Sequence, residues 1–270
     1  MDYLSRDSAP FSEEFWGRID DTIVDSASRI LIGRRFLTLY GPLGAGAQSI
    51  NIDSAKKAEN FADGIVTTGG RQYTEIPQVY DDFFLLWRDI EAGDKDGYPV
   101  DLSSAMAAAE EVARREDKLV FFGNKSVGVA GLLNAPGANK IKRSDWSTGE
   151  NAFTDVAKGI ATLDEKGYIG RYALVLSPDL YLDLQRIQPG TGLMEIDRVS
   201  RMVDGRVFRA PVLGMNKAVL VCCEPQYMDL VLGQDMTTAY LELVDLNHHL
   251  RVLETVLPRT KRQDAIVVYD

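Results

Sequence analysis

A run of 28 residues, 48–75, breaks an otherwise periodic chain with polar, aperiodic sequence rich in Lys, Asp, Asn and Gly. Neither the 3.6-residue period of a helix nor the alternation of a strand persists through it. Compact domains rarely hold so long a stretch with so little apolar content, because its polar groups need water or a partner. The run is therefore expected to leave the body of the subunit as an extended arm, a long hairpin that packs on something outside its own subunit. Together with a polar Pro-Gly loop and several flat strands, it describes a surface meant to be covered by copies of itself.

The flanking segments carry clear patterns. Phe15, Ile19, Ile23 and Ile30 or Leu31 recur at helical spacing, with Ser12 placed to cap the start and Gly33 just past the end. Phe36 to Tyr40 alternates and stops at Gly41-Pro42-Leu43-Gly44, which predicts a strand running into a turn. Order returns at Val79 to Ile90. Asp101 is then expected to cap a helix with Leu102, Ala105, Met106, Ala109, Val112, Ala113 and Leu119 as its apolar positions, a small-sided stripe that another layer can approach closely. Ser147 with Glu150 forms a capping-box pattern ahead of Phe153, Val156, Ile160 and Leu163. Tyr172 to Leu176 predicts a strand, Ser177-Pro178 a helix start with the helix running to about Ile187, and Met194 to Val203 one more short helix. Beyond Val207 the chain is strand-rich: Ala218 to Cys222, Met228 to Leu232, Thr238 to Val244, Leu250 to Leu257 and Ala265 to Tyr269. The class is α+β, with antiparallel strands late.

Much chemistry is excluded. With 30 Lys plus Arg against 40 Asp plus Glu, the net charge of −10 is the opposite of the basic stripe that tracks phosphates, which argues against nucleic acid as a main partner. The longest uncharged stretch, Phe36 to Ile52, is 17 residues long and broken by Gly41, Pro42, Gly44 and Gly46, so it does not predict a membrane span. No secretory signal is visible at the N-terminus, and the two cysteines, Cys222 and Cys223, are neighbours in a predicted strand, pointing to opposite faces. Both features fit the cytoplasm. Gly44-Ala45-Gly46 lacks a third glycine in register and reads as a turn, not a dinucleotide site. The only histidines, His248 and His249, have no Cys or carboxylate cluster at ligand spacing, so no metal site is expected. Glu13-Glu14, Glu110-Glu111 and Glu116-Asp117 sit on predicted helices, where charge pairs usually form a solvated face. No nucleophile constellation or phosphate-binding loop occurs, and no catalytic residue is assigned.

Several segments carry a family likeness. Residues 33–44, GRRFLTLYGPLG, residues 82–91, DFFLLWRDIE, and Asp101-Leu102-Ser103-Ser104 resemble the encapsulin nanocompartment shell proteins, and so do residues 116–123, EDKLVFFG, residues 170–178, GRYALVLSP, and Leu232-Gly233-Gln234-Asp235. The resemblance is to the linocin-like family 1, and the first two segments are most similar to the subgroup with iron cargo. It implies the fold of tailed-bacteriophage major capsid proteins. In that fold 1–47 is the N-terminal helix and start of a peripheral domain, and 48–78 is an extended loop. Residues 79–131 are the peripheral domain with a spine helix, 132–224 an axial domain, and 225–270 peripheral strands. The implied function is a hollow icosahedral cage, self-assembled in the cytoplasm, that encloses a cargo enzyme carrying a C-terminal targeting peptide. The cargo it implies is an iron-oxidising ferritin-like or related protein serving iron storage and oxidative-stress defence. Iron is then handled by the cargo and not by the shell. A shell for a peroxidase cargo and a prophage-type capsid packaging DNA are the alternatives; the acidic balance argues against the second.

The same resemblance implies site residues. The targeting peptide would dock on Ile30, Arg34, Leu37, Leu232, Asp235 and Thr237, so that Arg34→Ala or Leu232→Asp is expected to leave shells intact but empty. Gln188, Pro189, Gly190, Thr191, Gly192 and Leu193 would line an axial pore. Trp87 matches a tryptophan on which some members stack a flavin, but Val79 replaces the basic residue that accompanies it there, and packing is the reading preferred for Trp87.

Overall fold

The computed structural model describes residues 3–52, 59–62, 65–68, 72–96, 99–188 and 192–270. Ser12 starts the first helix as its sequence predicts: its Oγ accepts the Phe15 amide at 3.2 Å, and α1 (Glu13–Ile30) follows. The apolar face of α1, Trp16, Ile19 and Ile23, is buried against Ala105, Ala109 and Val112 of the long helix α4 (Ser103–Phe122). Alanines on the facing stripe let the two backbones come close. Between them lie the single turn α2 (Gly33–Phe36) and the helix α3 (Trp87–Asp96). Phe36 thus ends a helical turn, and the strand expected from it is confined to β1 (Leu39–Tyr40).

The arm begins with β2 (Ser49–Asn51), which pairs antiparallel with β5 (Tyr73–Glu75). Further out, β3 (Glu59–Ala62) pairs antiparallel with β4 (Ile65–Thr68), giving the nested register of a hairpin. The base of the arm is anchored: Ala47, Ile50 and Ile76 pack with Leu119, Val129, Val231 and Leu257. Next comes β6 (Gln78–Leu85). Helix α4 ends at Gly123, where φ is +65° and a Cβ would stand 2.2 Å from the Val129 carbonyl oxygen. Only glycine permits the close approach of β7 (Gly123–Asn124) to β8 (Val129–Ala130).

Two larger sheets organise the rest. The first has the order β1, β13 (Met228–Val244), β14 (Asn247–Thr260), β6, and its apolar face packs under α1 and α4. The two strands expected over 228–232 and 238–244 are one strand, β13, with register shifts near Gln234 and Thr237. The second sheet contains β9 (Asn139–Ile141), β10 (Tyr172–Leu176), β11 (Val207–Arg209), β12 (Ala218–Cys222) and β15 (Ile266–Tyr269), in the order β11, β10, β12, β15, β9. Strand β15 therefore leaves the peripheral strands with which residues 225–270 are grouped by resemblance. Four consecutive buried residues, Ile266 to Tyr269, need cover on both faces, and the second sheet supplies it. Helix α5 (Asn151–Glu165) covers this sheet with Val156 and Leu163. It starts one turn later than the capping-box pattern indicates, because Asp145 takes both the amide and the hydroxyl of Ser147. The helices α6 (Pro178–Asp183) and α7 (Glu195–Met202) complete the chain, and α6 stops four residues short of Ile187.

Candidate functional site

The second half of α1, the α2 turn, α4 and the inner end of β13 meet around Arg34. Its Nη2 donates to Glu116 Oε2 and to Glu254 Oε2, both at 2.7 Å, and its Nη1 donates to Asp235 Oδ1 at 2.7 Å. The side chains of Glu116 and Glu254 are fully buried, and that of Arg34 is 17% exposed. Burial opposes the Arg34 charge, but Glu116, then Glu254 and Asp235, outweigh it and raise its pKa. Burial also lifts Glu254 well above the ordinary carboxylate range, with the neighbouring Glu116 adding to the effect. One guanidinium thus faces more carboxylate than it can neutralise, which favours the protonated form of Glu254.

Asp117 stands beside this cluster. Its Oδ1 accepts the amides of Ile32 and Gly33 at 3.1 and 2.9 Å, which fixes the start of α2. Burial pushes its pKa up to about 7, against the pull of these amides, with Glu116 adding to the rise and Arg35 opposing it. The folded state therefore keeps a proton that the unfolded chain releases near pH 4, and stability attributable to Asp117 falls as pH rises from about 4 to about 7. Asp117→Asn should gain on the wild type by roughly 2–4 kcal/mol over that window, read from denaturation midpoints at pH 4 and pH 8. Parallel pH profiles for the two proteins would contradict this.

Beside the cluster, Val24, Ala27 and Ser28 of α1, Leu31 at its C-cap and Met236 of β13 form a trough of about 240 Å³, bounded by Arg35 and the Arg34–Asp235 ion pair. Val24 is 58% exposed, so this wall is open to a partner. Of the six residues assigned to a peptide groove by resemblance, Arg34 and Asp235 are brought together here. Leu37 and Leu232 are not: both are buried in the core with Phe36, Val120 and Leu230, Leu37 just past the α2 turn and Leu232 on β13. Ile30 packs against the cluster of Ala27, Leu31 and Ala113 and lines the neighbouring groove with Ile32 and Phe208, outside the trough itself. Thr237 sits under Arg6, whose Nη2 donates to its Oγ1 at 3.4 Å. The trough's own residues, 24, 27, 28 and 31, recur at i, i+3, i+4 and i+7, a second stripe on α1 that the sequence reading passed over.

The remaining assignments fare differently. Pro189, Gly190 and Thr191 lie outside the described residues. Gln188 is buried and its amide donates to the Leu193 carbonyl at 2.8 Å, so in the subunit its side chain does not line an opening; Gly192 has φ +68° and Leu193 is exposed. The loop base is held by the Arg186–Glu195 ion pair at 2.5 Å. Trp87 is 39% exposed, with the Arg88 guanidinium 5.5 Å from its ring centroid. Val79, at the position of the basic residue that the resemblance describes, packs into the core. Glu116-Asp117, read as a solvated pair, is buried instead. Among the described residues no cluster of three His, Cys, Asp or Glu could hold a metal ion, and none of the helices is long and apolar enough to cross a membrane. Cys222 and Cys223 are buried free thiols, and burial pushes Cys222 up to about 11, away from nucleophilic chemistry.

Comparison with known proteins bears on the whole chain. The model of the Linocin_M18 family, described as encapsulating protein for peroxidase, matches residues 1–257. The type 1 encapsulin shell protein of Myxococcus xanthus is 38% identical over 98% of this chain and 95% of its own length. A diheme-cytochrome–encapsulin shell fusion protein of Kuenenia stuttgartiensis is 37% identical over 94% of this chain and 72% of its own. A ferritin-like–encapsulin shell fusion protein of Pyrococcus furiosus is 24% identical over 95% and 68%. In fold, the chain superimposes on a virus-like particle protein from Pyrococcus furiosus with a TM-score of 0.75, at 24% identity over 95% of this chain and all of the other. It matches the capsid protein of the Myoviridae phage XM1 with a TM-score of 0.60, at 12% identity over 86% and 88%. The mixed helix and sheet architecture is thus that of phage capsid proteins, as the resemblance implies.

Proposed function

Because this chain belongs to the encapsulin shell-protein family, we propose that its copies close into a hollow icosahedral container, in the cytoplasm, around a cargo enzyme that carries a C-terminal targeting peptide. The observation that carries this reading is the match of a shell-protein family over residues 1–257 in a chain with a capsid fold. The shell is structural and needs no cofactor of its own; the chemistry belongs to the cargo. An iron-oxidising, ferritin-like cargo for iron storage and oxidative-stress defence is favoured by the ferritin-like fusion among the relatives, and a peroxidase by the family's description.

The peptide's seat is the trough between α1 and β13. An apolar residue of the peptide would rest on Ala27, Leu31 and Met236, and the Arg34–Asp235 pair at the rim would fix its polar flank. Val24→Asp places a charge on an exposed helix position, so the subunit should fold and close shells as before, with cargo content cut at least tenfold. Co-expression with a ferritin-like protein bearing the targeting peptide, followed by iron addition and electron microscopy, reads both points. Dense cores only in cargo-bearing shells support the iron reading; cargo-filled shells that stay clear after iron addition remove it. Normal loading of the Val24→Asp shell removes the trough.

A further inference from the structure

Next to the trough, a groove of about 1000 Å³ runs between the ends of α1 and α4 and the strand β11. Three independent features converge on it. The first is charge: Arg29, Arg35, Lys118 and Arg209 all line the groove, and none forms a salt bridge with a carboxylate among the described residues. Of the two acidic residues that line it, Glu111 is taken by Arg114 and Arg115, and Asp117 by the amides of Ile32 and Gly33. Four cations without an ion-pair partner among the described residues gather in one groove of a chain whose net charge is −10.

The second feature is an open backbone edge. Strand β11 is the outermost strand of its sheet and pairs only with β10, in parallel. The Leu174 amide donates to the Arg206 carbonyl at 2.9 Å and the Ala210 amide to the Leu176 carbonyl at 2.8 Å. The even-numbered residues therefore face β10, and the peptide carbonyls of Val207 and Arg209 and the Arg209 amide face outward with no strand partner. The third feature is an apolar floor, made by Ile30, Val207, Phe208 and Val212, all partly accessible.

We propose that this groove is a docking site for an extended peptide segment in which acidic and apolar side chains alternate, added as a further strand on the open edge of β11. An added strand sends alternate side chains to the two faces of the sheet, and on β11 Phe208 faces one side while Val207 and Arg209 face the other, so an apolar series would rest on Phe208 and an acidic series would reach Arg209. Inorganic phosphate or a nucleic acid would use the cations but leave the floor and the backbone edge without a role. The groove adjoins the trough at the end of α1, where Arg35 lines both, but its strand edge and its other cations belong to the groove alone.

The test uses the purified full-length protein in whatever assembly it forms, and a fluorescein-labelled Glu-Val repeat peptide of about eight residues, read by anisotropy. Saturable binding is expected, weakening several-fold between low and moderate salt. It should be lost at least tenfold in the Arg209→Glu/Lys118→Glu variant and on N-methylation of alternate peptide bonds, and unchanged in Val24→Asp. Four results would overturn the proposal. Absence of binding removes the site, and polyglutamate binding as tightly shows a polyanion surface only. Full binding of the N-methylated peptide removes the strand edge. Peptide binding to free subunits but not to closed shells, with assembly blocked in the double variant, assigns the groove to contact between copies of the chain.

Discussion

Arg34→Ala should cost the folded subunit about 3–5 kcal/mol, because it strips the counter-charge from two carboxylates that water cannot reach. Glu116 and Glu254 both have fully buried side chains and both bond Arg34 at 2.7 Å. Glu254 Oε1 has no hydrogen-bond partner as it stands, so little remains to compensate the pair once the guanidinium is gone. The deficit should shrink as pH falls, since protonating Glu254, whose pKa burial already raises, removes charge that lacks a partner. Arg34→Lys should recover only part of the loss: a single ammonium cannot reproduce the fork that engages Glu116 through both Nε and Nη2 while reaching Glu254 and Asp235. Adding Glu116→Gln and Glu254→Gln to Arg34→Ala should restore most of the stability. Denaturant titration at pH 5 and pH 8 decides; a variant as stable as the wild type at pH 8 would mean that the cluster carries no net energy. This replaces the expectation of intact but empty shells for Arg34→Ala and Leu232→Asp. Both positions support the fold itself, and an empty particle from either would say nothing about cargo.

Deleting residues 56–69 should abolish closed particles while leaving the subunit folded. The anchoring of the arm lies outside those limits: β2 and β5 pair at its base, and Ile50 and Ile76 belong to an apolar cluster with Val231 and Leu257. The deleted segment lies beyond that base, and β3 and β4 within it pair with each other. The denaturation midpoint should therefore shift by less than about 1 kcal/mol, the range of changes away from core and caps. Sedimentation should show small species in place of particles. Particles of unchanged size and yield would show that the arm makes no contact between subunits.

What the sequence revealed, and what it hid, follows from the range of the forces involved. Local signals were legible: the Ser12 cap, the α1 stripe, the alanine-rich α4 and the strands at Tyr172–Leu176 and Ala218–Cys222 all depend on neighbours a few residues apart. The nested pairing of the arm was legible for a related reason, as the absence of any apolar period. Long-range pairings were not. Strand β15 joins β12 and β9 from far along the chain, and β13 continues through irregular register because β14 pairs along its whole length. The buried carboxylates were missed although their signal was present. Glu116 and Asp117 follow Val112 and Ala113 by four residues and precede Val120 by four and three, which puts both on the buried stripe of α4. A rule that charge pairs face water overrode the period. Arg34, named for a peptide groove by resemblance alone, shows the converse case: its three carboxylate partners lie 82, 201 and 220 residues away. Leu37 and Leu232 could not be told from groove residues in the sequence, since a core side chain and a peptide-contacting one are equally apolar.

The central claim, that this chain closes with copies of itself into a container, is tested most directly by electron microscopy of the protein expressed alone. The account predicts closed, hollow, uniform particles whose reconstruction shows the arm at 48–75 of one subunit lying on its neighbour. Monomers or dimers at every concentration, or particles in which each arm folds back on its own subunit, would contradict it.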